Sequence, residues 1–258
     1  MRINIIYEDS DIIVIQKPAG IAVQTAQVGR PDVVSELKNY LAALPKPGKI
    51  GRKAPYLGII HRLDQPVEGL LVFAKNPKAA AELSAQLAKE DFCKEYLAVV
   101  CGKPAADSGE LVDYLLKEGL AARVCGNVSA ETAGSRQDTK QNSSKGAGSA
   151  KADEPKRAVL HYERKETMQV EGEEISLLQI RLQTGRFHQI RVQLSHAGYP
   201  ILGDAKYGNE RSRQASAQAG IRNTALCAYR LRFKHPVQKK VMEYTVIPAG
   251  EAFTYFKI

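Results

Sequence analysis

An α+β domain is the fold class this chain predicts, and three features of the sequence predict it. Strand-like runs follow one another in blocks broken by a few helical stretches, instead of alternating with helices as a doubly wound sheet requires. Apolar runs continue from the first strand to the last, so the 258 residues, 44% of them hydrophobic, read as one domain spanning 1–258. The one clear interruption, at about 130–156, is dominated by Ser, Ala, Gly, Lys and Gln. It reads as a flexible low-complexity insertion, because burial cannot offset the entropy of ordering it.

Taken in order, residues 3–8 (INIIYE) and 11–16 (DIIVIQ) are β-branched runs separated by Asp9-Ser10, a hairpin signal. Lys17-Pro18-Ala19-Gly20 punctuates, and Ile21-Ala22-Val23 predicts a return to extended chain. Pro31 can open a helix in which Val34, Leu37 and Leu41 recur at helical spacing. Residues 44–56, rich in Pro, Gly, Lys and Arg, read as a basic surface loop. A strand is expected around Gly58-Ile59-Ile60, and a buried one over Leu70–Ala74 after a loop ending at Gly69. Asn76-Pro77 supplies a helix cap and first residue, with Ala80, Leu83 and Leu87 on one face. Further strands are expected over Lys94–Val100, Ala158–Tyr162, Ile175–Leu182, 225–233 and 241–247. A helix is expected over roughly His188–Ala197, stopped by Gly198, and 209–220 reads as a polar patch. There is no internal repeat.

The totals narrow the partners. Lys and Arg number 37 against 28 Asp and Glu, a formal charge of +9, which suits a polyanion because each neutralised phosphate releases counterions. The same excess serves solubility, so charge alone leaves nucleic acid an even choice. Four cysteines (Cys93, Cys101, Cys125, Cys227) form no C-x-x-C pair and read as buried reduced thiols. Met1–Tyr7 reads as a strand and not a cleavable signal, and no apolar run approaches a membrane span. A soluble, cytoplasmic monomer is the expectation.

Three clusters could carry chemistry. His61-Arg62-Leu63-Asp64 follows a buried strand and places a carboxylate beside Arg at a sheet rim. By itself the tetrapeptide favours a turn-capping or surface-paired Asp64. It lacks the later Asn and the glycine-rich loop of a protein-kinase site. Thr184-Gly185-Arg186-Phe187-His188-Gln189-Ile190-Arg191 combines a turn at Gly185 with a helix start. Its backbone amides, with Arg186 and His188 on the first turn, suit a phosphate or carboxylate, while His188 packed at a helix start and Arg191 on a solvated face are the plainer alternatives. Metal binding is disfavoured, since His188 and His196 are eight apart and no acidic ligand completes a set. Lys94-Glu95-Tyr96 opens a strand, where Tyr96 is ordinarily a half-buried core residue with a wet hydroxyl.

In this order and spacing the clusters resemble the RluA family of pseudouridine synthases. HRLDQPVEGLLVFAK (61–75), KEYLAVV (94–100) and TGRFHQIRVQLSHAGYPILGDAKYG (184–208) match its motifs. The opening IIYEDSDIIVIQKPAG and the late ALCAYRLRFKHP (225–236) are similar to its strands, so the resemblance spans nearly everything outside 105–157. Two positions depart from it. Val67-Glu68 stands where the family usually has Thr-Ser, and Phe187 where a small polar residue is commoner. The chain begins directly with the catalytic strands, which predicts no S4-type RNA-binding module.

The resemblance implies a mixed, mostly antiparallel sheet with flanking helices and a central active-site cleft. It also implies isomerisation of specific uridines in ribosomal or transfer RNA, with no cofactor and no metal. Asp64 would be the nucleophile on a flipped-out base, ion-paired with Arg186, and Tyr96 would pack on that base. Arg62 would fill the space the base leaves. His61, Lys94, His188, Gln189 and Arg191 would shape the pocket or touch RNA, and Lys and Arg in 46–53 and 230–240 are candidate backbone contacts. Two other readings compete. One is a non-catalytic RNA-binding relative, which the presence of Asp64 and Tyr96 disfavours. The other is a glycoside hydrolase pairing Asp64 with Glu68.

Overall fold

The computed structural model describes residues 3–27, 29–44, 54–89, 92–125 and 154–258. Most of the basic loop at 44–56 and of the insertion at 130–156 lies outside the described residues.

The first two β-branched runs form β1 (Asn4–Glu8) and β2 (Ile12–Lys17), paired antiparallel. Asp9 closes their turn by accepting the amides of Asp11 and Ile12. Helix α1 (Val33–Ala43) starts after Pro31 because Asp32 takes the cap, its carboxylate accepting the Ser35 amide at 2.7 Å. Ile21–Val23 is no strand. The carbonyls of Ala22 and Val23 instead accept the amides of Val33 and Val34, so the segment braces the start of α1.

Next come β3 (Gly58–Ile59), β4 (Glu68–Ala74), α2 (Pro77–Ala88, capped by Asn76) and β5 (Cys93–Cys101). A hairpin, β6 (Ser108–Glu118) and β7 (Ala121–Cys125), precedes the long pair β8 (Lys156–Val170) and β9 (Glu173–Leu182). Helices α3 (Gln189–His196) and α4 (Glu210–Gln218), strands β10 (Leu226–Lys234) and β11 (Val241–Thr245), and a 3-10 turn at Glu251–Tyr255 complete the chain. The polar patch at 209–220 is thus a helix, α4. Gly198 ends α3 as expected, in a left-handed conformation at φ 89°.

The strands form one sheet in the order β1-β2-β4-β10-β5-β9-β8-β6-β7, with β3 added to β4 and β11 to β10. Every pairing is antiparallel except β4 with β10, which makes the sheet mixed and mostly antiparallel. Alternate side chains of β2 and β4 serve two cores. Ile13, Ile15, Leu71 and Phe73 pack with α1, α3 and α4 residues on one face, while Ile12, Val14, Leu70 and Val72 pack with Ala79 and Leu83 of α2 on the other.

Gly69 lies inside β4 and does not end the preceding loop. Its φ is 124°, and a Cβ there would sit 2.5 Å from the Ala228 backbone, so only glycine allows β4 and β10 to approach. That junction fixes where the segment bearing Asp64 emerges.

Candidate active site

Asp64 sits in the connection between β3 and β4, and its carbonyl accepts the Val67 amide in a tight turn. Lys17 holds this connection from below. Its fully buried ammonium donates to the carbonyls of Pro18 (3.0 Å), Ile21 (2.7 Å) and Gln65 (3.1 Å). Burial pushes that ammonium down to about 8, against the opposing pull of Asp64 and Glu68. Gly20 and Gln65 exchange two further hydrogen bonds, so the Lys17–Gly20 turn and the Asp64 turn are one unit.

The Asp64 carboxylate faces a cleft of about 770 Å³ and remains partly exposed. Its partner is Arg191, which donates from Nη1 to Oδ2 at 3.0 Å. Arg191 is itself fixed by Asp204, donating from Nε at 2.7 Å and Nη2 at 2.8 Å in a bidentate clamp. The guanidinium also lies 5.0 Å from the centre of the Tyr207 ring. Burial pushes the Asp204 carboxyl up, but Arg191 and the amides of Tyr207 and Lys206 outweigh it and hold the group below its ordinary value. Arg191 therefore reaches Asp64 as a cation whose direction is set before any substrate arrives.

His188 is the second neighbour, with Nε2 3.7 Å from Asp64 Oδ2. Its Nδ1 is 2.6 Å from the Tyr207 hydroxyl, which also accepts the Ala122 amide. The Nδ1–hydroxyl bond anchors the ring so that Nε2 faces Asp64. Burial, aided by Arg191 and Lys206, pushes His188 down to about 4 despite Asp64, so the ring is neutral near pH 7. Its backbone is left-handed at φ 54°, a conformation that non-glycine residues hold only where surrounding contacts enforce it.

Tyr96 projects from β5 into the same cleft and is 5% exposed. Burial and the Asp64 charge keep its phenol far from ionising. The cleft wall also carries Arg62, Lys94, Arg181 and Arg186, so a carboxylate with one dedicated arginine lies in a basic, partly apolar trench. Such a trench suits an anionic polymer.

The model of a family described as RNA pseudouridylate synthase matches residues 11–196. The chain belongs to that family. The ribosomal large subunit pseudouridine synthase D of Vibrio vulnificus (strain CMCP6) is 34% identical over 249 residues, covering 94% of this chain and 66% of the relative. The protein of that name from Zymomonas mobilis subsp. mobilis is 32% identical over 246 residues, covering 94% and 68%. The chain thus spans about two thirds of the length of these relatives. Two solved human structures, RNA pseudouridylate synthase domain containing 1 and 4, superpose with TM-scores of 0.68 and 0.67 at 19% and 20% identity. They cover 96% and 95% of this chain and 84% and 89% of their own, and they share the pseudouridine synthase fold with it.

Against this family background, several residues occupy positions other than those expected from the sequence. Arg186 does not pair with Asp64. It is exposed, and its Nε donates to the Arg157 carbonyl at 2.9 Å. The ion pair belongs to Arg191, because α3 begins only at Gln189 and its first turn aims residue 191 into the cleft. Gln189 is buried and fully engaged, accepting from Thr184 and the Arg186 amide while donating to Val159 and Gln193. It shapes the 184–186 loop and leaves nothing for RNA. His61 is buried against Phe92 and accepts the Val72 amide at 3.4 Å. Burial keeps it neutral, so it offers no cationic contact to phosphate.

Lys94 lines the cleft half-buried, and Arg62 is exposed there, 3.3 Å from Gln24. Glu68 turns away from the cleft and accepts the amides of Ala249 and Gly250, which removes the paired-carboxylate geometry a glycoside hydrolase needs. Cys93 is exposed, whereas Cys101 and Cys227 are buried as expected.

Sequence reasoning assigned no role to Asp204, Tyr207 or Lys17. The first two lie in Gly203-Asp204-Ala205-Lys206-Tyr207-Gly208, a matched motif, and that match was the available signal. Among the described residues, one group brings three metal-capable side chains together, Asp9, Asp11 and His235. There, His235 Nδ1 accepts the amides of Val237 and Gln238, so Nε2 carries the proton that Asp9 accepts at 2.8 Å. This is a satisfied structural clip with no imidazole lone pair left for a metal. No helix among the described residues is long and apolar enough to cross a membrane.

Proposed function

We propose that the chain is an RNA pseudouridine synthase that isomerises uridine in ribosomal RNA, with Asp64 as the nucleophile on a flipped-out nucleotide. One observation carries the reading. A partly exposed carboxylate on the cleft wall is held by an arginine whose Nε and Nη2 donate to a buried aspartate. That arrangement pairs and orients the Asp64 carboxylate without burying it, as a nucleophile requires. Large-subunit ribosomal RNA is the substrate class because the relatives bear that substrate in their names.

The reaction breaks the N1–C1′ bond, rotates the uracil and joins C5 to C1′; C5 loses its proton and N1 gains one. Attack by Asp64 on C1′ or on C6 satisfies this balance. Tyr96 packs on the extracted uracil, and Arg62, exposed at the mouth, is placed to fill the vacated stack. His188, neutral near pH 7, stands 3.7 Å from the same Asp64 oxygen that Arg191 engages and walls that side of the ion pair.

The test is Asp64→Asn, which keeps shape and removes charge. Pseudouridine formation in large-subunit ribosomal RNA and in transfer RNA, read by site mapping, is expected to fall at least a thousandfold, on the order of losing a covalent nucleophile. Conversion at wild-type rate by the folded variant defeats the assignment.

A further inference from the structure

Phe187 has no role in the chemistry above, yet the residue is 39% exposed on the cleft wall. One face of its ring stacks on His188, with centroids 3.8 Å apart and planes 21° apart. Over the ring, 5.2 Å from its centre, sits the ammonium of Lys117, an exposed side chain of β6. Beyond Phe187 is a second cavity of about 200 Å³, and Gly185, Arg186 and Phe187 line both it and the main cleft. Phe187 is therefore a ridge between two hollows. The outer hollow carries Lys117, Lys156 and Arg186, with Glu154 as its acidic member.

We infer that Phe187 is a stacking platform for an unpaired nucleobase next to the target uridine, with Lys117, Lys156 and Arg186 contacting that nucleotide's phosphate. This rests on the proposed function and extends it to the neighbouring nucleotide. The spacing favours a neighbour over the target itself, since His188 stands between Phe187 and Asp64, 3.7 Å from the carboxylate. The target uracil must touch Asp64 and lies on the Tyr96 side. A base stacked on an aromatic face outweighs an exposed cation–π contact, so the arriving base displaces the Lys117 ammonium and frees it for phosphate. Stacking tolerates any base, whereas the ridge selects for a nucleotide that is not paired.

The test compares wild type, Phe187→Ala and Phe187→Trp on the shortest ribosomal RNA hairpin that wild type converts, and on copies with one abasic nucleotide at each flanking position. Equal thermal midpoints establish that the variants fold. Phe187→Ala is expected to raise KM about tenfold with kcat within about twofold, and Phe187→Trp to stay near wild type. One abasic position should cost wild type the same factor and cost Phe187→Ala nothing more. Abasic losses that are equal in wild type and Phe187→Ala at every position overturn the inference. So does a fall in kcat at unchanged KM, which would make Phe187 a cover for His188. Wild type forming no pseudouridine in any ribosomal or transfer RNA defeats the parent reading instead. The platform is then read by fluorescence anisotropy with a labelled twelve-nucleotide single-stranded RNA, where a tenfold weaker Phe187→Ala supports it and equal affinity overturns it.

Discussion

At the scale of single residues, the site depends on which of two nearby arginines turns inward. Arg186 and Arg191 both lie in the motif that begins at Thr184, and the family resemblance assigns the ion pair to the one beside Gly185. The left-handed turn falls at His188 instead, a state that His adopts more readily than most residues but still rarely, and it starts α3 one residue later. The two arginines should therefore behave differently on substitution. Arg191→Gln leaves Asp204 buried without its counter-charge and should cost about 3–5 kcal/mol in urea unfolding, together with loss of turnover. Arg186→Ala, at an exposed position, should cost under about 1 kcal/mol. His188 gives a pH signature. Its pKa is about 4 in the folded protein and near 6.5 when unfolded, so between these values the unfolded chain binds more protons. Stability should therefore fall as pH drops from 6.5 toward 4. Urea midpoints measured across that window should be flatter for His188→Asn than for wild type.

At the scale of elements, legibility followed hydrophobic period and cap chemistry. Strands β2, β4 and β5 are readable as short continuous apolar runs buried on both faces, and helix α2 because its buried positions recur at the helix period and Asn76 marks a start. Helix α4 is not, since ERSRQASAQ buries only Ser212, Ala215 and Ser216 and offers no apolar stripe. Its start was signalled only by Asn209, which accepts the Ser212 amide at 2.8 Å. The hairpin β6–β7 lies where the family motifs are silent, and its half-exposed pattern is weak. Asn76→Ala should destabilise the protein by about 1 kcal/mol through loss of the α2 cap. Gly69→Ala should do far more, because the added Cβ meets the Ala228 backbone and the left-handed φ is strained as well. Several kcal/mol, about 3 or more, is expected by the same urea measurement.

At the scale of the whole molecule, the mixed sheet and its cleft were legible through the linked motifs, but the single parallel junction was not. Nothing local in Glu68-Gly69 or Cys227-Ala228 states that chain segments about 160 residues apart will lie side by side. The net charge of +9 has its own consequence. Raising salt from about 50 to 200 mM should weaken RNA binding by at least about tenfold, measured by filter retention, and an insensitive complex would mean the basic trench is not the binding surface. The junction also sets an order in time. Strand β4, which supports the nucleophile, is made well before its neighbour β10 and the Ala249–Gly250 amides that engage Glu68. Such distant pairing forms slowly, after the loop-closure cost of the intervening chain has been met. A ribosome translating this message thus carries an unfinished cleft until β10 and the Ala249–Gly250 segment have been made, and the site is completed in one step well after its nucleophile.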